Sequence, residues 1–158
     1  MRYDGRDAAC GHGVLARWLE QGRVVPFCPE LAAGLPTPRP PAEIAAGQGG
    51  RKVLAGSARV LDATGADVTN AFLAGARNLA ALAQDQGIRM AVLKEGSPSC
   101  GSGYTYDGSF GGRRVPLPGV ATAALEAAGI RVFSEHQLDA AAEYLEGGPA
   151  RSARIPLP

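Results

Sequence analysis

Short apolar runs alternate with helix-length amphipathic stretches along most of this chain, and that alternation constrains its fold more than any other feature. Residues 14–20 set Val14, Leu15, Trp18 and Leu19 at helical spacing, and Gly22 stops that helix. Residues 23–27 are rich in β-branched side chains and predict a buried strand that ends at the proline turn Cys28-Pro29-Glu30. Leu35-Pro-Thr-Pro-Arg-Pro-Pro41 predicts a rigid extended loop, because each proline fixes its own φ and biases its predecessor away from helix. Residues 52–54 and 58–61, around Ala55-Gly56-Ser57, predict a small hairpin. Asp67 or Thr69 then caps a helix carrying Phe72, Leu73, Ala76, Leu79 and Leu82, which runs to about Gly87. Residues 89–93 predict a second strand, 121–128 a helix closed by Gly129, 130–133 a third strand and 138–145 a final helix. The order predicts an α/β fold: a Rossmann-like three-layer domain whose mainly parallel sheet is covered by helices on both faces. A length of 158 residues suits one such domain, expected over residues 1–146 with a flexible tail at 147–158.

Composition narrows the classes of function. The formal net charge is +1, and the adjacent basic pairs Arg51-Lys52 and Arg113-Arg114 read as solvated loops, so no concentrated basic face is expected for nucleic acid. No apolar stretch reaches the ~18 residues of a membrane span, and none follows a basic amino terminus as a secretory signal would. Three cysteines do not make a disulfide framework and are expected to be reduced thiols in the cytoplasm.

In open α/β sheets ligands bind beyond the carboxyl ends of the strands. Three polar clusters follow predicted strands: Cys28-Pro29-Glu30, Glu95-Gly-Ser97-Pro-Ser99-Cys100 and Ser134-Glu135-His136. A lone cysteine after a buried strand is ordinarily a core residue. Two of them at strand ends, flanked by proline and by an acid or a hydroxyl, point instead to a shared site on one sheet edge. Two thiolates close in space suit a soft metal or an iron–sulfur cluster, whereas one thiolate beside a base suits nucleophilic catalysis; the spacing matches no zinc signature. His12 and His136 read as surface or capping residues. The glycines of residues 101–119 match neither the dinucleotide nor the P-loop spacing, and this segment reads as a mobile lid carrying Tyr104, Tyr106 and Phe110.

Arg2-Tyr3-Asp4-Gly5, Val25-Pro26-Phe27-Cys28-Pro29-Glu30, Gly34-Leu-Pro-Thr-Pro-Arg39-Pro40, Asp67-Val-Thr69-x-x-Phe72-x-x-Gly75-Ala76, Leu93-Lys94-x-x-Ser97-Pro98-Ser99-Cys100-Gly101 and Tyr106-Asp107-Gly108 follow one another in a recognisable order and spacing. Together they resemble the domain-of-unknown-function 523 family, which includes 2-thiouracil desulfidases, over residues 2 to about 136. The resemblance implies a Rossmann-like fold, a [4Fe-4S] cluster held by three cysteines, and removal of sulfur from a small thiolated pyrimidine without net redox change. It implies that Cys28 and Cys100 are two of the cluster ligands. Glu30 is then the general base and acid, and Ser97 or Ser99 orients substrate or water. Asp4, Arg39, Lys94 and Tyr106 are then the substrate contacts. The family's third cysteine lies in a Cys-Leu-Leu-Gly strand just before Arg-Tyr-Asp-Gly. This sequence begins at Met1-Arg2-Tyr3, so the first strand and its cysteine are expected to be missing, and Met1 to be an internal start. Cys10, after the Arg-Tyr-Asp-Gly turn, matches no ligand position of the family. The alternatives are a non-catalytic module that holds a metal or ligand on its two thiols, and an inactive truncated form.

Overall fold

The computed structural model describes residues 3–6 and 11–147. Cys10 and the tail beyond Gly147 lie outside the described residues. The elements in chain order are α1 (Gly13–Glu20), α2 (Pro29–Ala32), β1 (Ala42–Ile44), α3 (Gly49–Leu54), β2 (Val60–Asp62), α4 (Thr69–Asp85), β3 (Met90–Leu93), β4 (Thr105–Tyr106), β5 (Arg114–Val115), α5 (Val120–Ala127), β6 (Arg131–Ser134) and α6 (Leu138–Gly147). The fold is mixed α/β. β3 and β6 form a parallel pair that places Leu93 opposite Ser134, whereas β1–β2 and β4–β5 are antiparallel pairs.

Three local expectations are corrected. Residues 52–54 belong to helix α3, not to a hairpin, and β2 pairs with β1, a segment that no expected strand covered. The reason is tertiary: Gly50 N donates to Pro118 O, and a Cβ at Gly50 would lie 2.2 Å from Gly119 O, so α3 nests against the start of α5 where only glycine fits. Residues 23–27 belong to no strand and join no ladder among the described residues. Their side chains still pack as a strand would, Val24 beside the Trp18–Phe133–Leu138 cluster and Phe27 on the larger core. The segment 101–119 contains the β4–β5 hairpin and is fastened by a buried carboxylate: Glu43 Oε2 accepts from Gly108 N at 2.9 Å and Phe110 N at 3.0 Å.

Helix α4 organises the larger core. Phe72, Gly75, Ala76, Leu79 and Ala83 recur at helical spacing and form its buried face, which packs against α2 and α5. Asp67 Oδ1 accepts from Thr69 N at the helix start, and Thr69 Oγ1 accepts from Val60 N, so the same turn ties α4 to β2. Ile44, Val53, Val60, Val120 and Leu125 complete this core with no measurable exposure. Each such side chain contributes about 1.5–3 kcal/mol by leaving water. The second cluster is smaller and lies among α1, α6, β3 and β6. All four residues of β3 are only half-buried although all are apolar. Among the described residues no helix is long and apolar enough to cross a membrane.

Candidate active site

Two anchors bring the cysteine loops together. Cys28 is the N-cap residue of α2, with Pro29 at the first helical position, where a missing N–H costs nothing. Gly75 of α4 lets this turn approach closely: a Cβ there would sit 2.3 Å from Pro29 O. Cys100 is fixed from the other side by the amino terminus of α5. Val120 N donates to Pro98 O, Ala121 N and Thr122 N to Ser99 O, and Thr122 Oγ1 to Cys100 O. Carbonyls of the Cys100 loop thus satisfy the N–H groups that every helix leaves open at its start, in place of a side-chain cap. Gly119 makes this possible, since a Cβ on it would lie 2.4 Å from Ser99 O. Because α4 packs on both α2 and α5, the two turns share one frame.

Within that frame Cys28, Glu30 and Cys100 are neighbours. Burial first, then the charge of Glu30 and a smaller contribution from Cys28, together push the Cys100 thiol up to about 12 against the opposing hydroxyls of Ser99 and Ser97. Ser97 Oγ accepts from Ser99 N and Cys100 N, both at 3.1 Å. Ser99 is 1 % exposed, and its Oγ has no hydrogen-bond partner that meets ordinary geometry. Glu30 is held by Arg39, whose Nε and Nη2 both donate to Oε2, the first at 2.8 Å. Arg39 N in turn donates to Tyr3 O, which brings the turn containing Asp4 alongside.

Other candidate residues lie at the border. Lys94, half exposed, pairs with Glu135 Oε1, while Glu135 Oε2 accepts from Glu95 N at 2.7 Å. Burial disfavours the charge on Glu135, but Lys94 and the Glu95 N–H outweigh it and hold the carboxyl below its ordinary range. Tyr106 stacks edge-on to Tyr104, whose ring covers Gly96 of the Cys100 loop, and Arg114 lies 4.4 Å from the Tyr104 ring centre. No contact of Tyr106 with either thiol is seen. His12 Nδ1 accepts from Val14 N at the start of α1, and His136 is exposed beside Glu135. A groove of about 730 Å³ runs along the outer edge of β6 past Arg51, Glu95, Arg131 and Gln137, and neither thiol lines it.

The residue types fit an iron–sulfur cluster in part. Cys28 and Cys100 supply two thiols, the donor type that iron–sulfur clusters take, while no group of three or more His, Cys, Asp or Glu side chains able to hold a metal occurs among the described residues. Two residues important to this geometry carried no sequence signal. Glu43 follows the proline-rich loop with nothing to mark its carboxylate as a hairpin clamp, and Thr122 lies inside an apolar helix.

The sequence profile of the family described as 2-thiouracil desulfurase matches residues 1–137. This chain belongs to that family. It is 42% identical over 138 residues to the uncharacterized protein YbbK of Bacillus subtilis (strain 168), covering 87% of this chain and 89% of YbbK. It is also similar to the solved structure of the [4Fe-4S]-dependent thiouracil desulfidase TudS, with 46% identity and a TM-score of 0.82 over 92% of this chain and 89% of TudS. The desulfurase family match spans both cysteine turns, Glu30 and the serine loop.

Proposed function

We propose that this protein removes sulfur from a thiolated pyrimidine such as 2-thiouracil, with a [4Fe-4S] cluster held in part by Cys28 and Cys100. The observation that carries this reading is that the Cys28 and Cys100 turns are both anchored on the α2–α4–α5 frame in a chain whose desulfurase family match spans them. When bound, the cluster would supply an open iron that polarises the thiocarbonyl and takes up sulfur. The protein supplies the rest. Glu30 Oε1 has no hydrogen-bond partner recorded among the described residues, whereas Oε2 is committed to Arg39. Oε1 would accept a proton from the water that attacks the sulfur-bearing ring carbon and return it to the departing sulfur. The water oxygen replaces the sulfur, hydrogen sulfide leaves, and no electrons are transferred. Ser97 would orient substrate or water through its hydroxyl, and Ser99 would hydrogen-bond the Cys100 sulfur. Asp4, Lys94 and Tyr106 would border the pyrimidine. A cytoplasmic setting suits the reduced thiols.

The finer architecture is part of the same reading. The parallel β3–β6 pair and the helices packed around it support a Rossmann-like three-layer arrangement.

The test is anaerobic iron–sulfur reconstitution followed by measurement of sulfide released from 2-thiouracil. Glu30→Gln, which keeps an acceptor for Arg39, should lower the rate by about 10²–10⁴-fold with iron content unchanged. A reconstituted protein that holds iron and binds 2-thiouracil without turnover would identify a sensor instead.

A further inference from the structure

We infer that Arg39 is a positioning residue that aims Glu30, and not a contact to the substrate; this rests on the desulfidase reading above. A guanidinium has five N–H donors in a fixed plane, and most of those on Arg39 are already committed to the protein. Nε and Nη2 donate to the same carboxylate oxygen, Glu30 Oε2, and Nη1 donates to Pro36 O at 3.0 Å and Thr37 Oγ1 at 3.1 Å. Its side chain is only 8% exposed. Little of Arg39 is left for a substrate to touch.

The surroundings explain why such a brace is needed. Glu30 sits in α2, a helix of four residues, too short to restrict a carboxylate by helix packing alone. Arg39 comes from Pro38-Arg39-Pro40-Pro41, where the prolines restrict the backbone and the Arg39 N–H is spent on Tyr3 O at 2.9 Å. A stiff loop therefore presents a planar fork to a carboxylate on a short turn. Both donors meet one oxygen, so Oε2 is occupied and Oε1 is the oxygen left for proton transfer. Holding a base in one orientation is worth orders of magnitude in rate. It adds nothing to binding of the ring. This separates a brace from a substrate contact, which would act on binding first.

Four measurements on the full chain decide the matter: iron content after reconstitution, the Kd for uracil (the product), kcat and KM for sulfide release from 2-thiouracil, and the Glu30 conformation in a crystal structure of the apo variant. Arg39→Gln should leave iron content and the uracil Kd within about twofold, lower kcat about 100-fold at nearly constant KM, and release Glu30 from its observed position. Arg39→Lys, the milder change should Arg39→Gln fold poorly, should recover only part of kcat, because an ammonium is a point donor and not a planar fork. Added guanidinium ion should raise kcat of Arg39→Gln and leave wild type unchanged. A variant with raised KM and raised uracil Kd at unchanged kcat would make Arg39 a substrate contact and overturn the inference. A Glu30 that stays in place without Arg39 would overturn it too, whatever the activity. Absence of sulfide release from reconstituted wild type would remove the desulfidase reading and leave the crystallographic arm to judge the brace.

Discussion

Two carboxylates near the cysteine turns are held in opposite ways. Glu95 is gripped on both oxygens by its own loop: Ser102 N and Oγ, Gly103 N and Tyr104 N all donate to it, at 2.8 to 3.3 Å. Burial opposes its charge, but these donors outweigh that and hold the carboxyl below the ordinary glutamate range. Glu30 receives no backbone N–H in this way and is gripped on one oxygen by one side chain. A carboxylate with every lone pair engaged organises a loop and has nothing to offer a proton. One with a free oxygen beside two thiols is equipped for chemistry. The residue type is the same, and the number of donors facing it separates a loop clamp from a carboxylate with an oxygen to spare.

The sharpest way to break this contrast is to move the Glu30 turn without touching its charges. Gly75→Ala would place a Cβ 2.3 Å from Pro29 O and force α2 away from α4. Overpacking of this kind costs about 3 kcal/mol. The displacement carries Cys28 and Glu30 with it, so sulfide release should fall at least tenfold even in protein that remains folded, while the Glu95 loop keeps its structure. Chemical denaturation and the sulfide assay on the same preparation check both halves. Unchanged activity would mean that the α2–α4 approach does not set the site.

How much of this was legible in the sequence follows the same line between local and tertiary causes. Helix α4 was evident because Phe72, Ala76 and Leu79 repeat at a period that local geometry alone imposes. The strands expected at 89–93 and 130–133, seen at 90–93 and 131–134, are legible as short apolar runs beside glycine turns, and their parallel pairing follows from the helix between them. α3 was misread because Val53 and Leu54 look like a strand, while the glycines that let it nest against α5 act only through a distant partner. β1 was hidden behind prolines, and its identity as a strand depends on β2. Of the site, the residue types at the ends of runs were visible. The Arg39–Glu30 grip was not, because nothing local links positions nine apart across a proline loop.

Opening the Glu95 cage is the next largest effect. Glu95→Gln replaces one acceptor oxygen by an NH₂ group facing other donors, and should cost about 2 kcal/mol of stability at neutral pH. The pH dependence has a definite sign. Because the folded carboxyl titrates below its ordinary value, the unfolded chain binds more protons in acid, so the Glu95 contribution is complete above that ordinary value and is lost as pH falls through the folded one. Wild type should therefore lose stability faster than Glu95→Gln on acidification below about pH 4.5, the ordinary glutamate value. Equal slopes in urea titrations at several pH values would show that the cage donors do not favour the charged form.

The smallest effect concerns the third clamped carboxylate, Glu43, and the hairpin tip it fastens. Phe110 adopts φ of 57°, a left-handed conformation that costs an L-residue roughly 1–2 kcal/mol, while 41% of its surface stays exposed. The strain persists because Glu43 accepts from the N–H groups of both Gly108 and Phe110, which fixes the backbone regardless of the side chain. Phe110→Gly removes the steric cost and keeps both hydrogen bonds. It also gives up some apolar contact and frees the unfolded chain, so the net gain should be only about 0.5 kcal/mol. A loss of more than about 1 kcal/mol in thermal unfolding would show that the Phe110 ring, and not the Glu43 carboxylate, holds the tip. The tip would then be fastened by packing, unlike the loop closed on Glu95.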